Sequence, residues 1–533
     1  MPLPNLLNMR TILGLCGKHS HFLFFINKGD FVKYTMKGNF FNGQYHEADA
    51  QSGKVVSKAS PADLDNHLWD CRVSNQHLEE VLDSAREGFH VWRKLSFEER
   101  SAYLKKYQEE VLKRKEQIAE AISLEIGKPY WEGMVEAGAV AGKVDITINE
   151  SIPRISTKDI EGIMPKTNGR INFKPIGVSL VIGPFNFPCH LANGQMVSTL
   201  LSGNSVIFKP SSKACYSAQL LADCFEAAGF PKGVFSMIHS DRHGTMDMVK
   251  HPDVKVIFLT GGKEAGLRIL ENTYKDLTKL ISLELGGKNV SIIHKDTNLE
   301  LALAEVLKGS FLTTGQRCTS TSLVPIHEDI ADEFINKFKD LALKLVIDHP
   351  IEHENEPFMG PLVDQYAMEE YLRFMDVAKE EGIKEIMPGK KVEGKKKGYY
   401  VTPSIHFAEK FDKKSSFLTS EIFGPNVIFV PYKTVEEACE IANGTEYGLA
   451  GAVFTKDQAV YEQCARDIDV GIFNWNRSTV GANSKLPFGG VKNSGNYRPA
   501  AVTTVDYCVY QSAGLLVKDD EGESLDNIKG LQL

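Results

Sequence analysis

Short apolar segments alternating with helical stretches constrain this chain more than any other feature. Gly177-Val-Ser-Leu-Val-Ile182, Ser205-Val-Ile-Phe208 and Lys255-Val-Ile-Phe-Leu-Thr260 read as strands. Residues 218–228, between the second and third of them, read as a helix closed by Gly229. Strand–helix–strand alternation predicts an α/β fold built on a parallel sheet covered on both faces. Ligands of such sheets sit at the carboxyl ends of the strands. Upstream, Leu78, Val81, Leu82, Ala85, Phe89 and Trp92 recur at helical spacing. Ser96 and Glu99 then form a capping box that opens a second helix through Tyr103, Leu104 and Tyr107. Both helices read as scaffold.

At 533 residues the chain exceeds what one core supports, so at least two domains are expected. The formal net charge of −8 argues against nucleic acid as a partner. The basic stretch 387–398 reads as a solvated loop, because no aromatic residue is interleaved before Tyr399. Nine scattered cysteines without a CxxC pair fit a reducing compartment, so a cytoplasmic location is expected, and no His cluster suggests a metal. No apolar run approaches the ~20 residues of a membrane helix, so no membrane partner is expected; the nearest, His21 to Ile26, is far too short. Residues 1–35 carry Arg10, Lys18, Lys28 and Lys33 against Asp30, which faintly resembles a presequence. The reading adopted starts the protein at Met36 and treats 1–35 as an appended or poorly ordered extension. Residues 151–173, polar and punctuated by Pro153, Pro165 and Gly169, read as an excursion from the domain.

Four segments carry chemistry. In Leu283-Glu-Leu-Gly-Gly-Lys-Asn289, a carboxylate between two leucines should have a raised pKa suited to a general base. In Gly315-Gln-Arg-Cys-Thr-Ser320, Cys318 reads as a nucleophile on a mobile, electropositive loop that favours thiolate. In Gly183-Pro-Phe-Asn-Phe-Pro188, two prolines hold Asn186 at a strand's carboxyl end, where its amide can donate to an oxyanion. Glu421-Ile-Phe-Gly-Pro425 means nothing alone. Together, in this order and with 34 residues from Glu284 to Cys318, the four resemble the aldehyde dehydrogenase superfamily from about Met36 to Val517.

That resemblance implies an NAD-dependent enzyme with a Rossmann-like cofactor domain (36–152 and 172–283) and an α/β catalytic domain (284–504). It also implies an oligomerisation arm (153–171 with 504–517), hence a homodimer or tetramer; an acidic tail (518–533) follows. It assigns Lys209 to the adenosine ribose and Glu421 and Phe423 to the nicotinamide end. Residues Gly261, Gly262, Lys263, Glu264, Ala265 and Gly266 correspond to the glycine turn at a helix start, where small residues let phosphate approach backbone N–H groups. Two departures stand out. Gly262 replaces a common serine, and Ser212 replaces a common glutamate that would repel a 2′-phosphate. NADP therefore stays open beside NAD, with Lys213 a candidate to tolerate it.

The implied reaction runs from Cys318 attack on an aldehyde through a thiohemiacetal and thioester to a carboxylic acid. Asn474-Trp-Asn476 and Gly495-Asn-Tyr-Arg-Pro499 resemble the branch of the family that oxidises N-succinylglutamate 5-semialdehyde in arginine degradation. A substrate with two carboxylates calls for fixed cations, and Arg477 and Arg498 are the candidates, with Asn476 and Ser484 as polar contacts. The alternatives are action on succinate or glutamate semialdehyde, transfer of the acyl group to coenzyme A, or a non-catalytic relative.

Overall fold

The computed structural model describes residues 33–393, 396–517 and 525–532. Two seven-stranded sheets dominate it. The first runs Leu280–Glu284, Val254–Thr260, Val178–Ile182, Ser205–Lys209, Phe235–Met237, Asn39–Phe41, Gln44–His46, its first five strands parallel and its last two antiparallel. The second runs Lys384–Met387, Ser404–Phe407, Asn426–Tyr432, Thr321–His327, Asn289–Ile293, Ala450–Phe454, Ile472–Trp475, with only Lys384–Met387 antiparallel. Every residue of Val178–Ile182, Asn289–Ile293 and Thr321–His327 is buried. Strands covered on both faces need such continuous burial.

The early helices follow the sequence periodicity. Leu78–Trp92 buries Val81, Leu82, Ala85 and Trp92, and Phe97–Lys113 opens on the Ser96–Glu99 capping box. The helix Cys215–Ala227 is followed by Gly229 at φ +71°, a backbone state that favours glycine.

The sheets share one working edge. The carboxyl ends of Val178–Ile182, Ser205–Lys209, Val254–Thr260 and Leu280–Glu284 bring Asn186, Ser212, Gly262 and Glu284 to the same side. The chain leaves the first sheet at Glu284 and enters the second at Asn289, so Glu284 sits where the two meet.

The excursion is a three-stranded antiparallel sheet of Lys158–Met164, Thr167–Pro175 and Val509–Val517. Its middle strand runs to Pro175, past the anticipated limit of 171, and residues 152–155 form a short helix instead. A separate antiparallel pair, Lys54–Ser60 with Asp63–Val73, has no counterpart in the sequence reading. Ahead of Met36, the Tyr34 ring stacks on Tyr216 at 3.9 Å and its N–H donates to the Leu68 carbonyl. Residues 1–32 lie outside the described residues, as do 518–524 and 533.

Candidate active site

Three adjoining cavities follow the working edge. A 920 Å³ cleft is lined by Lys209, Ser212, Gly262, Glu264 and Ala265. It shares Ile182, Leu259 and Gly262 with a 390 Å³ cavity that holds Asn186, Gly261, Glu284, Cys318, Glu421 and Phe423. Cys318, Phe488 and Ala500 also line a third cavity of 240 Å³, which continues past Lys143, His190 and Ser484. Cys318 thus stands at the junction of two chambers.

The loop before Cys318 is held tightly. Thr313, Thr314 and Gly315 all adopt positive φ, a strained state for the two threonines. The buried carboxylate of Glu132 accepts from the Thr313 N–H at 3.0 Å, the Thr313 hydroxyl at 2.5 Å and Arg317 at 2.7 Å. Asn289 donates to the carbonyls of Cys318 at 2.7 Å and Ser320 at 2.9 Å. The loop is clamped, not mobile. The Arg317 guanidinium pairs with Glu132 and lies over the Phe187 ring, and its positive field at Cys318 is outweighed by burial and the nearby carboxylates. Removal from bulk water, then the negative fields of Glu421 and Glu284, push the Cys318 thiol up to about 12. The free protein therefore holds a thiol where the sequence reading expected a thiolate.

Burial also raises the Glu284 carboxyl well above the carboxylate range, with one opposing hydrogen bond from the Ala500 N–H at 3.2 Å. Its Oε2 has no hydrogen-bond partner among the described residues. Asn186 Nδ2 donates to the Gln316 carbonyl at 3.0 Å, leaving one further amide proton on that nitrogen. Glu421 folds back onto the Gly286-Gly287 turn, accepting from the Gly287 N–H at 3.0 Å, and burial raises it to about 7. A Cβ at Gly286 would stand 2.0 Å from the Glu421 Oε2, so this approach requires glycine.

The helix Lys263–Thr273 opens at Gly262, where no atom lies within 4 Å of a built Cβ, leaving its N-terminus open to the cleft. Gly266 packs that helix against Leu283 and Leu285. Lys263 points elsewhere, pairing with Glu446 at 2.8 Å. Lys213 is likewise engaged, 2.6 Å from Asp364 and over the Phe185 ring, which removes it as a candidate for a 2′-phosphate. Phe423 meets Phe185 edge to face at 5.8 Å.

Residues 48–511 match the Aldehyde dehydrogenase family. The chain belongs to that family. It is 33% identical over 483 residues to the N-succinylglutamate 5-semialdehyde dehydrogenase of Legionella pneumophila (strain Corby), covering 90% of this chain and 94% of that relative. Among solved structures it resembles betaine aldehyde dehydrogenase from Staphylococcus aureus in complex with NAD+, with a TM-score of 0.85 and 25% identity over 92% of this chain and 97% of that one. It also resembles NADP-dependent glyceraldehyde-3-phosphate dehydrogenase from Bacillus halodurans complexed with NADP, with a TM-score of 0.83 and 25% identity over 91% and 99% of the two chains.

Within this aldehyde dehydrogenase, the anticipated substrate contacts divide. Ser484 lines the third cavity; Arg477, Arg498 and Asn476 line none of the three. Arg477 is exposed. Asn476, at φ +52°, closes a turn by exchanging two hydrogen bonds with the Thr455 backbone. The segment around Arg498 supports Glu284 instead. Asn496 accepts from the Leu283 N–H at 2.9 Å and donates to the Ile281 carbonyl at 2.8 Å, so its side chain acts as one more strand beside Leu280–Glu284.

The sequence reading missed Lys143. Its ammonium is buried beside the third cavity, donates to the Ala501 carbonyl at 3.0 Å, and has no carboxylate partner among the described residues. Burial lowers it to about 8. Nothing in a helical stretch with one lysine signals this; only the fold does. The fold also gathers Cys71, Cys215 and His239, a grouping absent from the sequence reading. No helix among the described residues is long and apolar enough to cross a membrane.

Proposed function

We propose that this aldehyde dehydrogenase oxidises a semialdehyde bearing carboxylates, N-succinylglutamate 5-semialdehyde foremost, to the corresponding acid. The observation that carries the reaction is the position of Cys318 between a cavity containing Glu284 and a separate chamber open to substrate. Cys318 is the nucleophile. Its proton leaves to solvent water, and its sulfur bonds to the aldehyde carbon as a thiohemiacetal. The free N–H of the Asn186 amide and the Cys318 backbone N–H hold the oxyanion. A nicotinamide dinucleotide, NAD or NADP, supplies the hydride acceptor when bound. Its adenosine end fits the cleft of Lys209 and Ser212, its phosphates the open helix start at Gly262, and its nicotinamide end the vicinity of Glu421 and Phe423. Glu284 then takes a proton from water, whose oxygen attacks the thioester carbon; the acid leaves and the Cys318 thiol is restored. Glu284 in this position favours hydrolysis over transfer to coenzyme A.

The relatives' printed name and the chemistry of the third cavity together support the substrate. A substrate carboxylate there would restore the missing counter-charge of Lys143, with Ser484 as a neutral contact. We further propose that the three-stranded sheet joins copies of the chain into a homodimer or tetramer.

A comparison of N-succinylglutamate semialdehyde, succinate semialdehyde and an uncharged aldehyde of similar length tests the substrate. The first should lead the uncharged compound in kcat/KM by at least about 10²-fold. Lys143→Met should lower kcat/KM for the charged substrate by about 10- to 10²-fold, the worth of one charge-assisted contact, and leave the uncharged one nearly unchanged. Equal efficiency across all three aldehydes defeats the assignment of substrate while leaving the chemistry of Cys318 standing.

A further inference from the structure

Cys71, Cys215 and His239 come from three distant parts of the chain, yet their ligating atoms all lie within 4.8 Å of one another. Cys71 faces inward from the strand Asp63–Val73, Cys215 begins the helix Cys215–Ala227, and His239 follows the strand Phe235–Met237. All three are buried; the two cysteines pack with Leu68, Trp69 and Leu124. The His239 ring interacts with the Cys71 thiol, while its Nε2 makes no hydrogen bond of ordinary geometry among the described residues. Both thiols are free.

We propose that Cys71, Cys215 and His239 bind one Zn2+ ion behind the wall of the 920 Å³ cleft. Two thiolate sulfurs and an imidazole are a ligand set suited to this ion. Tetrahedral geometry at a Zn–S distance of about 2.3 Å puts ligand atoms roughly 3.8 Å apart, so the cluster needs to contract by no more than about 1 Å. Two thiolates and Zn2+ sum to zero charge, which suits an apolar surrounding. Three protein ligands leave a fourth position for a small exogenous ligand.

The location gives the ion a consequence. Val73, Ser212 and Ser240, each near one of the three ligands in sequence, line the cleft. The ion would fasten the strand pair Lys54–Ser60 and Asp63–Val73 to the first sheet and fix the cleft's wall. Metal binding is independent of the reaction assigned to Cys318; an effect on dinucleotide affinity rests on that assignment.

The test uses the full chain, reduced and freed of metal, titrated with Co2+ and then Zn2+. Wild type should take up one equivalent of Co2+ with thiolate-to-cobalt charge-transfer absorption, and Zn2+ should displace it. Cys71→Ser, Cys215→Ser and His239→Asn should each lose at least about ten-fold in affinity, while Cys318→Ser keeps it. Circular dichroism and melting establish that each variant is folded; if a cysteine variant is not, His239→Asn, which keeps both thiols, decides. No charge-transfer absorption in wild type overturns the proposal. So does full affinity in His239→Asn, or loss in Cys318→Ser, which would place the ion at the reactive thiol.

Discussion

Glu284 meets two opposing demands. A base must be ionised to act, and burial opposes ionisation with only the Ala500 N–H to offset it. Folding therefore favours the protonated carboxyl. The stability this gives is complete below the unfolded pKa of about 4.3 and is lost as pH rises through the raised folded value. Glu284→Gln lacks the term. Its unfolding free energy should gain on wild type as pH rises above about 4.3, by up to about 1.4 kcal/mol per pH unit, and level off once Glu284 ionises in the folded state. A pH-independent difference between the two proteins would contradict a raised pKa. The same variant separates the chemical steps. It should still acylate Cys318 and release a burst of reduced cofactor, then stall as a thioester visible by mass spectrometry. Absence of both burst and acyl-enzyme would mean that Glu284 is needed already for the attack of Cys318. Cys318→Ser should abolish oxidation while keeping dinucleotide affinity, and more than a few per cent residual activity would remove Cys318 from its role. Asn186→Ala should slow the acylation step by about 10²–10³-fold, the usual cost of one oxyanion donor. These three residues were legible in the sequence because each sits in a short motif beside glycine or proline. The ionisation state of Cys318 was not, because it is set by burial and by the Glu421 and Glu284 carboxylates, which only the fold brings to the thiol.

The elements divide by how local their causes are. Strands and capped helices follow from neighbouring residues, so Val178–Ile182, Val254–Thr260 and the capping box at Ser96 stand where periodicity put them. The segment Gly495 to Pro499 shows the opposite. Its polar residues suggested a binding surface, and Arg498 a carboxylate clamp. In the fold, Gly495 bridges Glu284, Ser494 accepts from the Leu285 N–H at 2.9 Å, and Asn496 completes the edge of the strand Leu280–Glu284. Side-chain amides that mimic backbone pairing look the same in sequence as amides that bind ligands. Asn496→Ala should therefore leave two backbone groups unpaired and loosen the base. The expected outcome is a loss of about 1–3 kcal/mol in unfolding free energy and a slower deacylation, with KM for the aldehyde little changed. A selective rise in KM for carboxylate-bearing aldehydes would instead return this segment to the substrate pocket.

At the scale of the molecule, the two large sheets bury their faces under helices, and the small one does not. All seven residues of Lys158–Met164 are exposed, and the strand Val509–Val517 leaves Leu515, Leu516 and Val517 in solvent. Nine register pairs tie Val509–Val517 to Thr167–Pro175, so the sheet is well formed even though Ile160, Ile163 and Met164 remain uncovered. Contiguous exposed apolar residues on a sheet with an open edge favour association with another chain. The excursion's polarity and prolines marked it as leaving the domain, but its strand limits could not be read, because pairing of residues 167–175 with 509–517 is a contact across most of the chain. If the sheet joins copies, charges on its exposed face should separate them without disturbing either large core. Ile163→Asp with Leu515→Asp should reduce the mass measured by light scattering to that of a single 59.2 kDa chain. Both positions are solvent-exposed in one chain, so the intrinsic stability of that chain should change little, within about 0.5 kcal/mol at such sites. Any larger fall in melting temperature would then report lost association and should depend on protein concentration in wild type. An unchanged oligomer in the double variant would remove the sheet from the interface, whatever the size of the native assembly.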